Sequence, residues 1–238
     1  MAISSCFTTK QENERRGVEM NTNLMDFLSI IETENRYKAL QFVMDRLEKK
    51  ELSILEVYEE ILAPALNLMV PTENENVDIW KEHVRTSIIK TILENAYPYV
   101  MKEKEEKGLS ITKTVAVLCP PEEYHNVGAR MVTDILTILG YDAIFVDSNT
   151  PLRVIEAGMD IRKIDCIAIS ISNPYHLVST RDIIEAVRKK DASVKIIVGG
   201  NAIKKAGSHA DLLKADYIVT SLKELENLEG GTSHETII

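Results

Sequence analysis

Thr114-Val-Ala-Val-Leu-Cys-Pro-Pro-Glu-Glu-Tyr-His-Asn-Val-Gly128 decides the fold. Its first five residues form a short apolar run that stops at Cys119-Pro120-Pro121. Runs of that length suit strands of a parallel sheet covered on both faces. Four similar runs follow: Ala143 to Val146, Cys166 to Ser170, Lys195 to Val198 and Tyr217 to Val219. Helical segments separate them. One spans His125 to Leu139 and stops at Gly140, a residue suited to a left-handed cap. Thr150-Pro151 reads as an N-cap followed by Pro at the first helical position. Further helices are expected over Val178 to Lys189 and Ile203 to Leu213, with Ser221 capping a last one. Five strands alternating with helices predict a doubly wound α/β domain over residues 112–230. Its expected strand order is flavodoxin-like, with ligands at the carboxyl ends of the strands.

The chain ahead of this domain has a helical period. Leu24, Phe27, Leu28 and Ile31 share one face, and Thr33 is placed to cap a second helix. That helix carries Tyr37, Leu40, Val43, Met44 and Leu47 on one side. Ser53 and Glu56 form a capping box, in which hydroxyl and carboxylate each satisfy an orphan N–H. The helix they open shows Ile54, Val57, Ile61, Ala65 and Leu68 on one face, and Pro64 predicts a kink. After a loop from Val70 to Asn76, a long helix is expected from Val77 to Glu103, with Trp80, Val84, Ile88, Ile92 and Tyr97 as a buried stripe. Four helices with short connections predict a small bundle over residues 21–107. Lys102 to Lys107 (KEKEEK) with Gly108 marks the expected boundary, and residues 1–20 read as a disordered polar tail.

Composition narrows the function. The 238 residues carry 28 Lys+Arg against 37 Asp+Glu, a net charge of −9 that disfavours a nucleic-acid binder. No apolar run approaches the roughly 20 residues of a membrane span, and the first 20 residues lack a signal-peptide core. Cys6, Cys119 and Cys166 are too few and too far apart for a disulfide framework or a zinc pattern. These features point to the cytosol. Cys119 and Cys166 read as inert core thiols, Met20, Met25, Met44 and Met69 as packing residues, and His209 and His234 as surface residues.

Chemistry is concentrated at the strand ends. Glu123-x-His125-x-x-Gly128 follows the first strand. A histidine there can ligate a metal through one ring nitrogen while a carboxylate two residues earlier holds the other. Gly128 lets a bulky group approach the first turn of the next helix. Taken alone, the three residues read more simply as a surface histidine near a helix start. The third strand, however, ends in Ser170-Ile-Ser172-Asn-Pro, and the fourth in Gly199-Gly200-Asn201. Hydroxyls, tandem glycines and the histidine converge on one edge. His176 is more simply a helix-start residue, although it lies close to that edge in sequence.

These residues resemble the cobalamin-binding family, whose fingerprint is Asp-x-His-x-x-Gly, then Ser-x-Leu, then Gly-Gly. The resemblance covers residues 112–228, with Glu in place of Asp and Ser172 in place of Leu. It implies His125 as the lower ligand to cobalt, Glu123 behind it, and Ser170, Gly199 and Gly200 around an inserted nucleotide tail. It also draws in Asn126, Val127, Ser172 and, after the fifth strand, Thr220. On this reading Gly200→Val blocks the tail and leaves folding largely intact.

The bundle is similar to one subgroup, the cobalamin-dependent photoreceptor regulators. The likeness rests on Leu55 to Leu66 with its Ala-Pro, on Trp80-Lys-Glu82-His83, and on Thr150-Pro151. It implies Trp80, Glu82 and His83 near an upper ligand of adenosylcobalamin or of another alkyl or hydroxo form. Two features depart from that subgroup. The roughly 20 polar residues at the start are too few for a DNA-binding domain, and Val70-Pro-Thr-Glu73 stands where those regulators have Trp-His. His83 or Met69 is then left to face cobalt. Two functions follow from the resemblance. One is a non-enzymatic cobalamin sensor, triggered by light or by ligand exchange, that signals through a protein partner or a change of assembly. The other is a corrinoid methyl carrier serving a methyltransferase. A nucleotide-binding domain without cobalamin is third, since the chain has neither GxGxxG nor a P-loop.

Overall fold

A computed structural model describes residues 22–228. The expected tail over residues 1–20, Cys6, Met20 and His234 lie outside them. Helix α1 is Thr22–Ile31 and α2 is Arg36–Glu48. Asn35 caps α2 by accepting from the Lys38 N–H, whereas Thr33 donates its hydroxyl back to Ile30 and closes α1 instead. On α2 the buried face is Ala39, Val43 and Leu47, and Tyr37 is exposed.

The third helix, α3, covers residues 54–67. The Ser53–Glu56 capping box opens it. Ahead of Pro64, where a kink is expected, the six residues Val57–Leu62 form a π-helix, followed by α-helical Ala63–Asn67. Proline has no N–H to give to the carbonyl four residues back. A widened turn ahead of it absorbs that mismatch, and the Ala63 N–H reaches back to the Tyr58 carbonyl. Helix α4 is Glu75–Lys107, longer at both ends than its period predicts, and Gly108 ends it in a left-handed conformation (φ 61°). Its buried stripe includes Arg85, Ile88, Ile92 and Ala96; Trp80 and Tyr97, expected there, are 64% and 44% exposed.

The second half forms a five-stranded, all-parallel sheet. Its elements are β1 Thr114–Leu118, α5 Val127–Ile138, β2 Asp142–Asp147, α6 Leu152–Ile161, β3 Cys166–Ser170, α7 Leu177–Lys190, β4 Lys195–Gly199, α8 Asn201–Ala206 and β5 Tyr217–Val219. The order β2-β1-β3-β4-β5 is the expected flavodoxin-like one. Pro151, not Thr150, is the N-cap of α6. The helix expected over Ile203 to Leu213 breaks at Gly207 (φ 55°) into α8 and a 3₁₀ segment, Gly207–Leu213. The last element is the 3₁₀ turn Lys223–Asn227, and Ser221 is not its N-cap. Glu59 of the π-helix instead accepts from the Leu222 and Lys223 N–H groups at 2.7 and 3.2 Å.

Alternation along each strand divides the core. Val115 and Val117 face a core shared with α5, the bundle and the final turn, which contributes Leu225 and Leu228. Ala116 and Leu118 face a second core with Ile155 of α6, Ile183 and Val187 of α7, and Ile203 of α8. Helix α5 is thus sandwiched between sheet and bundle, which is why eight of its twelve residues are buried. Its one buried acid, Asp134, accepts from the fully buried Tyr58 hydroxyl at 2.8 Å, tying α3 to α5. Burial pushes Asp134 up to about 6, against the opposing effects of the Tyr58 hydrogen bond and Arg130.

Candidate functional site

The loop from β1 to α5 is built against its neighbours. The Glu122 N–H donates to Asn149 Oδ1 at 2.9 Å, the Asn149 N–H to the Glu123 carbonyl at 2.9 Å, and the Thr150 N–H to the Cys119 carbonyl at 3.1 Å. Glu122, Asp147 and Asn149 all have positive φ (66°, 88° and 50°), so half of the six such non-glycine residues among those described lie here. Strained backbone clusters where surrounding structure over-determines it, often at functional sites.

Glu123 is fully buried. Its Oε1 accepts from His125 Nδ1 at 2.7 Å and from the His125 backbone N–H at 3.1 Å. Its Oε2 accepts from the Ser172 and Asn173 N–H groups at 3.0 and 2.9 Å. Burial alone raises this carboxyl; the Asn173, His125 and Ser172 donors outweigh it and hold Glu123 below the usual carboxylate range. An ionised carboxylate only accepts, so the proton of the His125 ring sits on Nδ1. The lone pair of Nε2 then faces outward from a ring whose side chain is 61% exposed. A lone imidazole of this kind suits a metal that is already held by a macrocycle.

The two departures from the cobalamin fingerprint have local explanations. Ser172 serves Glu123 through its backbone N–H, which any residue but Pro supplies. Glu123 reaches both His125 and the 172–173 amides with its longer side chain.

Beside this pair, exposed Gly128 lies in the first turn of α5, and a Cβ there would sit 3.5 Å from Ser170 Oγ. Ser170 pairs in register with Gly199, and Gly199 with Val219, so these three residues form one row across β3, β4 and β5. Gly200 has a different reason to be glycine. Its φ is 103°, and a Cβ would lie 2.5 Å from the Ile171 carbonyl oxygen. Gly200→Val therefore damages the β4–α8 turn itself, at a cost of about 1–3 kcal/mol, and the expectation that folding survives it does not hold. Asn126 donates to Asp147, Val127 is buried in the bundle-side core, and Thr220 is engaged by Glu224.

Trp80 and His83 stand apart. They line an open groove of about 620 Å³ with Glu34, Arg36 and Ser87. At 100° per residue, Trp80, His83, Ser87, Lys90 and Glu94 share one face of α4, and partly exposed Glu82 lies 4.0 Å from His83. Lower on that face, Glu94 pairs with Arg130 of α5 at 3.2 Å, and the charge of Lys90 helps lower Asp147. The two helices run parallel, so the first 15 or so residues of α4 rise roughly 20 Å past the start of α5, on the side of the sheet's carboxyl edge.

His176 is the residue that sequence undervalues. Its side chain is 16% exposed, and its Nε2 lies 3.9 Å from Glu123 Oε2, so it borders the site. Its only sequence signal is that it follows the β3 end, next to the β1 loop once β1 and β3 are known to pair. Cys119 and Cys166 are buried, and desolvation pushes both thiols up to about 12, as suits inert core residues. Among the described residues no helix is long and apolar enough to cross a membrane.

Residues 113–226 match the family described as "B12 binding domain". The α/β half of the chain thus carries a B12-binding domain. No curated protein matches the chain. Among solved structures it is similar to the monomethylamine corrinoid protein of Methanosarcina barkeri, with 15% identity, a TM-score of 0.71, and coverage of 85% of this chain and 94% of that one. A cobalamin-binding protein from Desulfitobacterium hafniense DCB-2 aligns at 12% identity and a TM-score of 0.46, over 85% of this chain and 95% of that one. The methanol:cobalamin methyltransferase complex MtaBC of M. barkeri aligns at 13% identity and a TM-score of 0.45, over 89% and 81%. At these identities the first likeness is one of fold, and it extends through the bundle.

Proposed function

We propose that this chain holds a corrinoid at the carboxyl edge of its sheet, with His125 as lower ligand, and carries a methyl group for a methyltransferase system. One observation carries the reading: a buried, ionised Glu123 holds Nδ1 of His125 and leaves Nε2 facing out of the edge. A nucleotide tail would lie along Ser170 and Gly199, paired on adjacent strands, with Gly128 of α5 beside Ser170. When bound, a corrinoid supplies a cobalt–carbon bond that can be made and broken reversibly. The protein's share is to fix the imidazole, exclude competing ligands and leave the upper side open to a partner. The known protein of most similar fold among those above is a corrinoid protein by name, which favours the carrier.

The light-responsive sensor has less behind it. Trp80 and His83, the residues that likeness sets against an upper ligand, line an open groove and are largely exposed.

The test is reconstitution with methyl- and adenosylcobalamin, followed by desalting and by size-exclusion chromatography in the dark and after illumination. The carrier predicts retained methylcobalamin with an imidazole-ligated (His-on) spectrum and no change of size with light. A light-driven change of size would instead establish the sensor, and no retained cobalamin would remove both readings. In the same assay Gly128→Ala is expected to fold normally, since 3.5 Å from Ser170 Oγ is an ordinary contact, yet to weaken cobalamin binding by about 1–3 kcal/mol because the added methyl takes up space that the bound tail would fill. Unchanged affinity would place the tail elsewhere.

A further inference from the structure

Strand β2 carries an irregularity next to the site. Val117 pairs with Phe145, but Leu118 pairs with Asp147, so Val146 is left over as a bulge. Bulges are rare between parallel strands; where they occur next to active sites, they re-aim a side chain. Asp147 is the residue re-aimed. Its φ of 88° lies in the region that favours glycine, yet its carbonyl still accepts the Cys119 N–H at 3.0 Å. Its Oδ1 accepts from the Ser148 N–H and from Asn126 Nδ2, each at 2.7 Å.

Asn126 directly follows His125 and opens α5, where its carbonyl accepts the Arg130 N–H at 3.0 Å. Glu123 holds the His125 ring and the N–H on one side, and nothing in that contact restrains the chain on the other side.

We propose that Asp147 is a positioning residue for the lower ligand: the β2 bulge turns its carboxylate onto Asn126 and fixes the backbone on the side of His125 opposite Glu123. This rests on the reading of His125 as the cobalt ligand. Partners that orient a metal-ligating histidine typically change metal affinity by about 10–100-fold when removed.

Two variants separate side chain from backbone. Asp147→Gly relieves the positive φ and deletes the acceptor; Asp147→Asn keeps an acceptor oxygen and tolerates the same φ. Both are loaded with methylcobalamin at one fixed pH, and the ratio of His-on to His-off cobalamin is read from the visible spectrum. The expected result is a ratio lowered about tenfold in Asp147→Gly and close to wild type in Asp147→Asn. In the protein without cobalamin, amide exchange at His125 to Val127 should quicken in the Gly variant alone. A wild-type ratio in Asp147→Gly, or an equal loss in both variants, overturns the proposal. His125→Ala runs beside them. If it keeps the wild-type spectrum, the ligand reading itself fails, which is a different outcome from failure of Asp147.

Discussion

His125→Ala abolishes the His-on spectrum and lowers cobalamin affinity on the order of 100-fold or more, the largest effect expected of any single change in this protein. The argument is local. Nε2 of His125 is the donor atom that the loop presents at the strand edge, on a ring held by a 2.7 Å bond from Nδ1 to Glu123. The ring is mostly exposed, so its loss creates no cavity. Stability should fall by only about 1 kcal/mol, the net worth of one hydrogen bond. Affinity and folding are therefore separable. Equilibrium dialysis and a visible spectrum measure the first, and urea unfolding of the cobalamin-free protein measures the second. An unchanged lower-ligand spectrum would falsify the assignment of His125.

Glu123→Ala acts on both. Removing this carboxylate strands the N–H groups of His125, Ser172 and Asn173 in a site where the acid itself is fully buried. Each unsatisfied buried donor costs about 1–3 kcal/mol, so a loss of roughly 3–5 kcal/mol in unfolding free energy is expected. Glu123→Gln keeps one acceptor oxygen but turns its amide toward donors, so it should recover only part of that. In either variant the imidazole loses its orienting partner, and the His-on fraction falls as well. The wild-type pH dependence has a fixed sign. Because the folded protein holds Glu123 below its ordinary value of 4.5, the stabilisation is present above that pH and is lost as the pH falls through the folded value. Acid unfolding that begins at the same pH in wild type and Glu123→Ala would contradict it.

Much of the architecture is legible from periods of two and 3.6 residues. All five strands fall on the short apolar runs, and the carboxyl ends of β1, β3 and β4 carry the motif residues. The capping box at Ser53 and the stop at Gly140 are likewise readable, since each depends on groups a few residues apart. Trp80 shows the limit of periodicity. A 33-residue helix has more than one apolar face, and which one is buried depends on whether a neighbour runs alongside. Trp80 emerges into a groove whose lining, among the described residues, comes from the bundle. Pro64 shows the limit of propensity. It predicts a local disturbance, but packing selects a π-turn that sends Tyr58 to Asp134 and Glu59 to the final turn.

The site divides along the same line. The Glu123-x-His125-x-x-Gly128 motif and its seat at a strand end are readable from the residues alone, because a two-residue spacing can bring acid and imidazole together within one tight loop. The four hydrogen bonds that hold Glu123 and favour its charged form came from the fold, since two of the donors lie 49 and 50 residues away. The tertiary structure also decided that His176 borders the site and that a bulge aims Asp147 at Asn126. These depend on which strands lie side by side. Desolvating a carboxylate is costly enough that its partners must be supplied from wherever the sheet order brings them, and no local pattern of residues encodes that order.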